Sequence, residues 1–231
     1  MVKQIFFDLG LTLVHNDMPR RYQTAFKGIG YDISLSQAER AYHLANKYFM
    51  RFRQGALSQK SDSVVSDFHR CVCQYLDTES AWKDFSNQLE KMERPVWRCF
   101  DFTLNMLDEL NDMGIKTGLI SNWDLSCRAV LEKNKILSRL NCIVVSEEVG
   151  AEKPDKKIFE EALKLTGANP DECFYVGDNY YDDYIGSQKV SMPCAIINYQ
   201  GKLGIEEVDC PIVIEQACEV VDLMKKHLIS K

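Results

Sequence analysis

Three short stretches of this chain end in groups that could do chemistry together. Asp8 follows the apolar run Ile5-Phe6-Phe7, Ser121-Asn122 follows residues 117–120, and Gly177-Asp178 follows residues 173–176. Lys153 stands in a loop between the second stretch and the third, and Asp182 and Asp183 come soon after Asp178. Carboxylates brought together repel one another unless a cation neutralises them. Asp8 and the acidic cluster from Asp178 onward would make the oxygen-rich kind of site that Mg²⁺ prefers. The Lys153 ammonium and the Ser121 hydroxyl would then hold an anion opposite the metal. A carboxylate nucleophile, a hard cation and a phosphate-sized anion pocket point to phosphoryl transfer through an aspartyl-phosphate.

These groups meet only if the stretches that carry them are strands of one parallel sheet. Ile5, Phe6 and Phe7 read as a strand buried on both faces. A carboxylate at the carboxyl end of such a strand sits where open α/β sheets put their ligands. On that stretch alone, Asp8 could equally cap a turn while Gly10 supplies a positive φ. The later pattern decides between the two. A helix over 102–113, placed to end at Gly114, is followed by a strand over 117–120. A helix and a strand over 142–145 come next, then the 147–154 loop with Lys153 and a helix over 158–165. A strand over 173–176 precedes a helix from about Asp182, a strand over 194–197, a short strand over 212–214 and a closing helix over 217–228. Such alternation predicts an α/β fold, a parallel sheet with helices on both faces.

Residues 15–95 read differently. A helix over 20–29 ends at Gly30. Ser36 and Glu39 have capping-box spacing before a long helix whose apolar face runs Ala41, Ala45, Tyr48, Phe49, Phe52. Val65, Phe68, Val72 and Tyr75 mark a third helix, and Trp82, Phe85, Leu89 and Met92 a fourth. This predicts a small four-helix domain over 15–95, inserted into a core made of 1–14 and 96–231. The span from Thr12 to Ser121 is far longer than a simple crossover needs.

Composition sets outer bounds. The chain has 231 residues, 45% hydrophobic and 27% charged, an ordinary globular mixture. A net charge of -6 gives no reason to expect nucleic acid or an anionic membrane as partner. No apolar run approaches the roughly 20 residues of a membrane helix, and the N-terminus enters a strand with no signal-peptide pattern. The 9 cysteines are an odd number scattered through predicted strands and helices. They read as reduced, packed thiols of a cytoplasmic protein.

Four motifs in order give the chain a likeness to a known family: Phe7-Asp8-Leu9-Gly10-Leu11-Thr12, Ile120-Ser121-Asn122, Glu152-Lys153-Pro154-Asp155, and Val176-Gly177-Asp178 with Asp183 five residues on. The chain resembles the haloacid dehalogenase-like (HAD) hydrolase superfamily, in the subgroup with a helical cap inserted after the first motif. The resemblance implies a Rossmann-like three-layer core with a four-helix cap, and a Mg²⁺-dependent hydrolase acting on a small phosphorylated metabolite. It implies Asp8 as nucleophile and Asp8, the Gly10 carbonyl, Asp178 and Asp183 as metal ligands. Thr12, Ser121 and Asn122 would line the phosphate site, and Lys153 would neutralise the transferred group and restrain Asp8. Substrate choice would rest with the cap.

One position departs from the pattern. Phosphatases of the family usually carry a second Asp two residues after the nucleophile as general acid and base, and here that residue is Gly10. His15, Asp17, His43 and His69 are the substitutes in view, each equally readable as a surface or packing residue. Trp123-Asp124 is placed to touch the cap, with Asp124 equally suited to start the next helix. Other readings stay open: a metal-independent 2-haloacid dehalogenase, a phosphonatase-type enzyme drawing a lysine from Lys27, Lys47 or Lys60, or a binding and regulatory module that keeps only the fold. Restoring Asp at position 10 is expected to raise the rate on alkyl phosphates.

Overall fold

The computed structural model describes residues 1–58 and 61–229, with side chains through residue 226. Lys60 lies outside the described residues. In chain order, strands β1 (Gln4–Phe7) and β2 (Val14–His15) precede helices α1 (Met18–Gly28), α2 (Leu35–Phe52), α3 (Asp62–Tyr75) and α4 (Trp82–Glu90). Strand β3 (Arg98–Cys99), helix α5 (Thr103–Asp112), strand β4 (Lys116–Ser121) and helix α6 (Cys127–Lys133) follow. Next come β5 (Cys142–Val145), α7 (Ser146–Val149), α8 (Lys156–Thr166) and β6 (Cys173–Gly177). A π-helical turn (Tyr180–Tyr184) leads into α9 (Ile185–Gln188), then β7 (Cys194–Ile197), β8 (Val213–Ile214) and α10 (Glu219–Ile229). The chain divides into two compact units, one of Met1–His15, Trp97–Lys202 and the chain from Glu207 on, the other of Asn16–Val96 with Leu203–Glu206. The short return at 203–206 left no trace in the sequence pattern.

The first unit is an α/β core. Six parallel strands run in the order β5-β4-β1-β6-β7-β8. In register, Phe7 stands beside Leu119 of β4 and Val176 of β6. The chain builds outward from β1 through β4 to β5, then resumes on the opposite side at β6. The carboxyl end of β1 is therefore the switch point of the sheet, where α/β folds open a crevice.

The layers follow from strand periodicity, since alternate residues face opposite sides. Ile5, Phe7, Leu119, Val145 and Val176 pack against Leu107 and Leu110 of α5, Leu131 of α6 and Val220 and Met224 of α10. Phe6 and Tyr175 face the other way, where Phe159 of α8 meets the Tyr175 ring at 5.4 Å. All three residues of the 5–7 run are fully buried, each contributing roughly 1.5–3 kcal/mol of transfer free energy. A small antiparallel ribbon pairs Val14 with Cys99 and His15 with Arg98. His15 had read as part of a polar connection, and its ring instead packs against Phe100 at 4.8 Å.

The second unit holds α1 to α4 around Tyr22, Phe26, Phe49, Val72, Phe85 and Leu89. Phe26 and Phe85 stack at 4.2 Å. Arg21 donates to the carbonyls of Leu89, Met92 and Glu93, ending α4 with a cation at its negative pole. Two expectations for α2 and α3 need correction. The cap of α2 is one turn-step earlier than Ser36: Ser34 accepts from the Gln37 N–H, and Gln37 Oε1 accepts from the Ser34 N–H at 2.9 Å. The buried stripe of α2 is Ala38, Ala41, Ala45 and Phe49, whereas Tyr48 and Phe52 are exposed. The small alanines join the buried cluster, and the two rings meet outside it at 5.0 Å with planes tilted by 47°. In α3, Val65 and Tyr75 are likewise exposed, and Val64, Cys71 and Cys73 take the inner face with Val72.

If Ser34 is the true cap, Ser34→Ala lowers unfolding stability by about 1 kcal/mol, while Ser36→Ala changes it by less than half of that. Urea melts of the two variants distinguish the positions.

Candidate active site

The loop that leaves β1 is wound tightly by its own backbone. The Asp8 N–H donates to the Val176 carbonyl, Leu11 N–H to Val14 O, and both Leu13 and Val14 N–H to Leu9 O. Fully buried Leu9 and Leu13 anchor the turn. The anchors hold Leu11 between them at φ 55°, a left-handed conformation that is costly for a branched side chain. The turn carries Thr12 inward, where its hydroxyl is fully buried and Oγ1 has no hydrogen-bond partner among the described residues. A buried hydroxyl without a partner costs free energy unless something else bonds it.

Lys153 is the hub of the site. Its ammonium donates to Asp8 Oδ1 at 2.7 Å, Asp183 Oδ1 at 2.6 Å and the Tyr175 hydroxyl at 2.9 Å. The lysine side chain is 3% exposed and that of Asp183 1%. Burial works against the ammonium, but the Asp183 and Asp8 carboxylates outweigh it and hold the lysine above its ordinary pKa. Tyr175 is kept protonated, first by burial and then by Asp183 and Asp8, and its hydroxyl donates to the Ile120 carbonyl at 2.8 Å. Asn122 fixes the lysine's backbone: its Nδ2 donates to Lys153 O at 2.9 Å, and its Oδ1 accepts from Lys153 N at 2.7 Å. Asn122 thus acts on the loop that carries the lysine.

Asp8 is held on one side only. Oδ1 accepts from Ser121 Oγ at 2.8 Å as well as from Lys153, while no donor among the described residues meets Oδ2. One oxygen sets the orientation and the other is left to react.

Asp183 stands against the lysine and the segment that follows β6. Its Oδ1 accepts from Lys153 and lies 3.2 Å from the Tyr175 hydroxyl oxygen, and its Oδ2 accepts from the Asn179 N–H at 2.9 Å. The π-helical turn delivers it over Gly177, where an added Cβ would lie 2.1 Å from Oδ2. Among the described residues no group of three His, Cys, Asp or Glu side chains is disposed to hold a metal ion. Both Asp183 oxygens meet protein donors, and its charge answers the lysine. Asp178 is 8% exposed at the end of β6. Asp182 accepts from Asn179 Nδ2 at 2.7 Å, and burial, with the charge of Asp183, pushes its carboxyl up to about 7.

The candidate substitute acids of the helical unit have partners of their own. His43 Nε2 bonds the Leu203 carbonyl at 2.9 Å and His69 Nδ1 bonds Ser86 Oγ at 2.9 Å, both inside the helical unit. Asp17 is exposed and pairs with Arg20. Lys27 is exposed and Lys47 buried. Asp124 Oδ1 accepts from the Ser126 N–H at 2.9 Å, at the start of α6. Sequence reasoning missed Tyr175 as the lysine's third partner and Asn179 as the partner of Asp183. The single polar atom in the β6 run was the available signal for Tyr175.

The description "Haloacid dehalogenase-like hydrolase" belongs to the family model that matches residues 5–197. The chain belongs to this family. It is 28% identical over 206 residues to haloacid dehalogenase-like hydrolase domain-containing protein 3 of Homo sapiens, covering 83% of this chain and 80% of the human protein. Over a shorter stretch of 107 residues it is 33% identical to glyceraldehyde 3-phosphate phosphatase of Methanothermobacter thermautotrophicus, covering 44% and 45% of the two chains. The magnesium-bound structure of the putative HAD-hydrolase YfnB from Bacillus subtilis shares the fold at a TM-score of 0.63 and 15% identity, covering 96% of this chain and 98% of that one. As a haloacid dehalogenase-like hydrolase with phosphatase relatives, the chain is an enzyme of the hydrolase class. No helix among the described residues is long and apolar enough to cross a membrane.

Burial lowers the pKa of His43 and of His69 to about 4 in the folded chain. An unfolded histidine titrates near 6.5, so this contribution is complete above that pH and is lost as pH falls toward 4. In urea melts at pH 7 and pH 5, the stability lost by the wild type is expected to exceed that lost by His69→Gln by about 2 kcal/mol.

Proposed function

We propose that the protein is a Mg²⁺-dependent phosphatase of a small phosphorylated metabolite, working through an aspartyl-phosphate on Asp8. The observation that carries the reading is the one-sided hold on Asp8, with Oδ1 fixed by Ser121 and Lys153 and Oδ2 open, beside the partnerless hydroxyl of Thr12. An Asp8 oxygen attacks phosphorus in line with the leaving group. The Ser121 and Thr12 hydroxyls bond the transferred oxygens, and the Lys153 ammonium offsets the charge spread over them. Water then attacks the acyl-phosphate, and Asp8 is regenerated.

The donor set fits Mg²⁺. Open Asp8 Oδ2, the Gly10 carbonyl and buried Asp178 are hard oxygen ligands of the kind that ion takes together with waters. Bound there, Mg²⁺ would supply positive charge against the attacking carboxylate and the phosphoryl oxygens. In this reading Asp183 both steadies the lysine and lends a carboxylate oxygen to the ion's surroundings. A metal-independent dehalogenase would gather Asp8, Asp178 and Asp183 with no divalent ion beside them and is less well supported. The nine free cysteines suit a reducing, cytoplasmic setting.

Hydrolysis of p-nitrophenyl phosphate by the purified chain should require Mg²⁺ and fall by at least about 10⁴-fold in Asp8→Asn. Mg²⁺ binding without turnover of that ester or of a panel of phosphorylated metabolites would favour a binding module instead.

A further inference from the structure

The place of the missing acid is filled. A Cβ added at Gly10 would lie 3.3 Å from Cζ3 of Trp123, 3.7 Å from Cη2 of Trp97 and 4.0 Å from Cζ3 of Trp97. The two indoles meet edge to face, with centroids 4.9 Å apart and planes at 67°. Each is anchored behind this contact. The Trp123 backbone N–H donates to Ser146 Oγ at 3.1 Å, and its indole N–H to Ser126 Oγ at 3.1 Å. The Trp97 carbonyl accepts from Asn134 Nδ2 at 3.2 Å, and both rings pack on the sheet's core. What faces Gly10 is ring carbon, with no proton to give.

We propose that the Trp97–Trp123 pair makes the enzyme selective for phosphate monoesters of acidic, aromatic hydroxyls. This inference rests on the phosphatase reading. Position 10 belongs to the same tight turn as the nucleophile and Thr12, so the ring edges flank the reacting centre. An alkoxide leaving there has no acid to protonate it. A phenolate needs none, and its ring packs on the indole wall as offset or edge-on aromatic contacts do. In the step, the bond from Asp8 oxygen to phosphorus forms as the bond from phosphorus to aryl oxygen breaks. The electron pair leaves on the phenolate oxygen, which takes its proton from water. A second water displaces Asp8 from phosphorus, passes its proton to solvent and leaves inorganic phosphate.

The test is a leaving-group series: ring-substituted phenyl phosphates, benzyl phosphate and alkyl phosphates of similar size, with Mg²⁺. The logarithm of kcat/KM is expected to fall steeply with leaving-group pKa, p-nitrophenyl phosphate exceeding benzyl phosphate by at least about 10³-fold, within the range a positioned acid supplies. The sequence alone suggests that Gly10→Asp would raise the rate on alkyl phosphates; with Trp123 holding the volume the carboxyl needs, Gly10→Asp alone should instead leave this gap unchanged. Gly10→Asp combined with Trp123→Ala should narrow it by tenfold or more and raise KM for the aryl esters. A flat series, or a gap that Gly10→Asp closes by itself, overturns the inference and leaves the phosphatase reading standing. Failure to turn over any ester overturns that reading and the inference with it.

Discussion

One ammonium holds the site in register. Lys153 has almost no contact with water and stands between Asp8, which follows β1, and Asp183, in the π-helical turn after β6. Taking three charged groups out of water costs several kcal/mol each, and only close, well-bonded geometry offsets this. The surroundings supply that geometry. Tyr175 gives the lysine a neutral partner, Asn122 fixes its backbone, and the bare Cα of Gly177 lets the Asp183 carboxylate lie over β6. A hydrophobic replacement could make the core as stable, but it would not aim Asp8. The hold on Oδ1 is what leaves Oδ2 as the reactive oxygen.

Sheet topology makes the contact possible. β1 lies between β4 and β6, so Ser121, Asp8 and the 177–183 segment emerge at one edge although they are far apart in sequence. The left-handed Leu11 and the buried turn after it are the local cost of carrying Thr12 into that edge. Strain of this kind is a common companion of reactive centres.

The architecture was legible because the core strands are built around short, mostly apolar runs. Residues 142–145 and 194–197 are strands with the bounds read from the pattern. Helix faces were less legible. In α2 the inner stripe is mostly alanine, so the larger Tyr48 and Phe52 drew the hydrophobic face a step around the helix, and two nearby serines offered rival caps. Motif spacing brought Asp8, Ser121, Asn122, Lys153 and Asp183 to one place. It did not show that Asp183 stands directly against the lysine, because a carboxylate serves equally beside an ammonium or a metal ion. The Trp97–Trp123 contact at Gly10 had no signal at all, since the three positions come from unrelated stretches joined only by folding.

If the lysine is what makes two buried carboxylates tolerable, removing it should be severe, and neutralising a partner should repair part of the damage. Denaturant unfolding of Lys153→Met is expected to show a loss of about 3–5 kcal/mol, the range for a buried pair broken by deletion of one member. Lys153→Met with Asp183→Asn should regain a substantial part of it. A Lys153→Met protein as stable as the wild type would contradict the clamp and, with it, the orientation of Asp8.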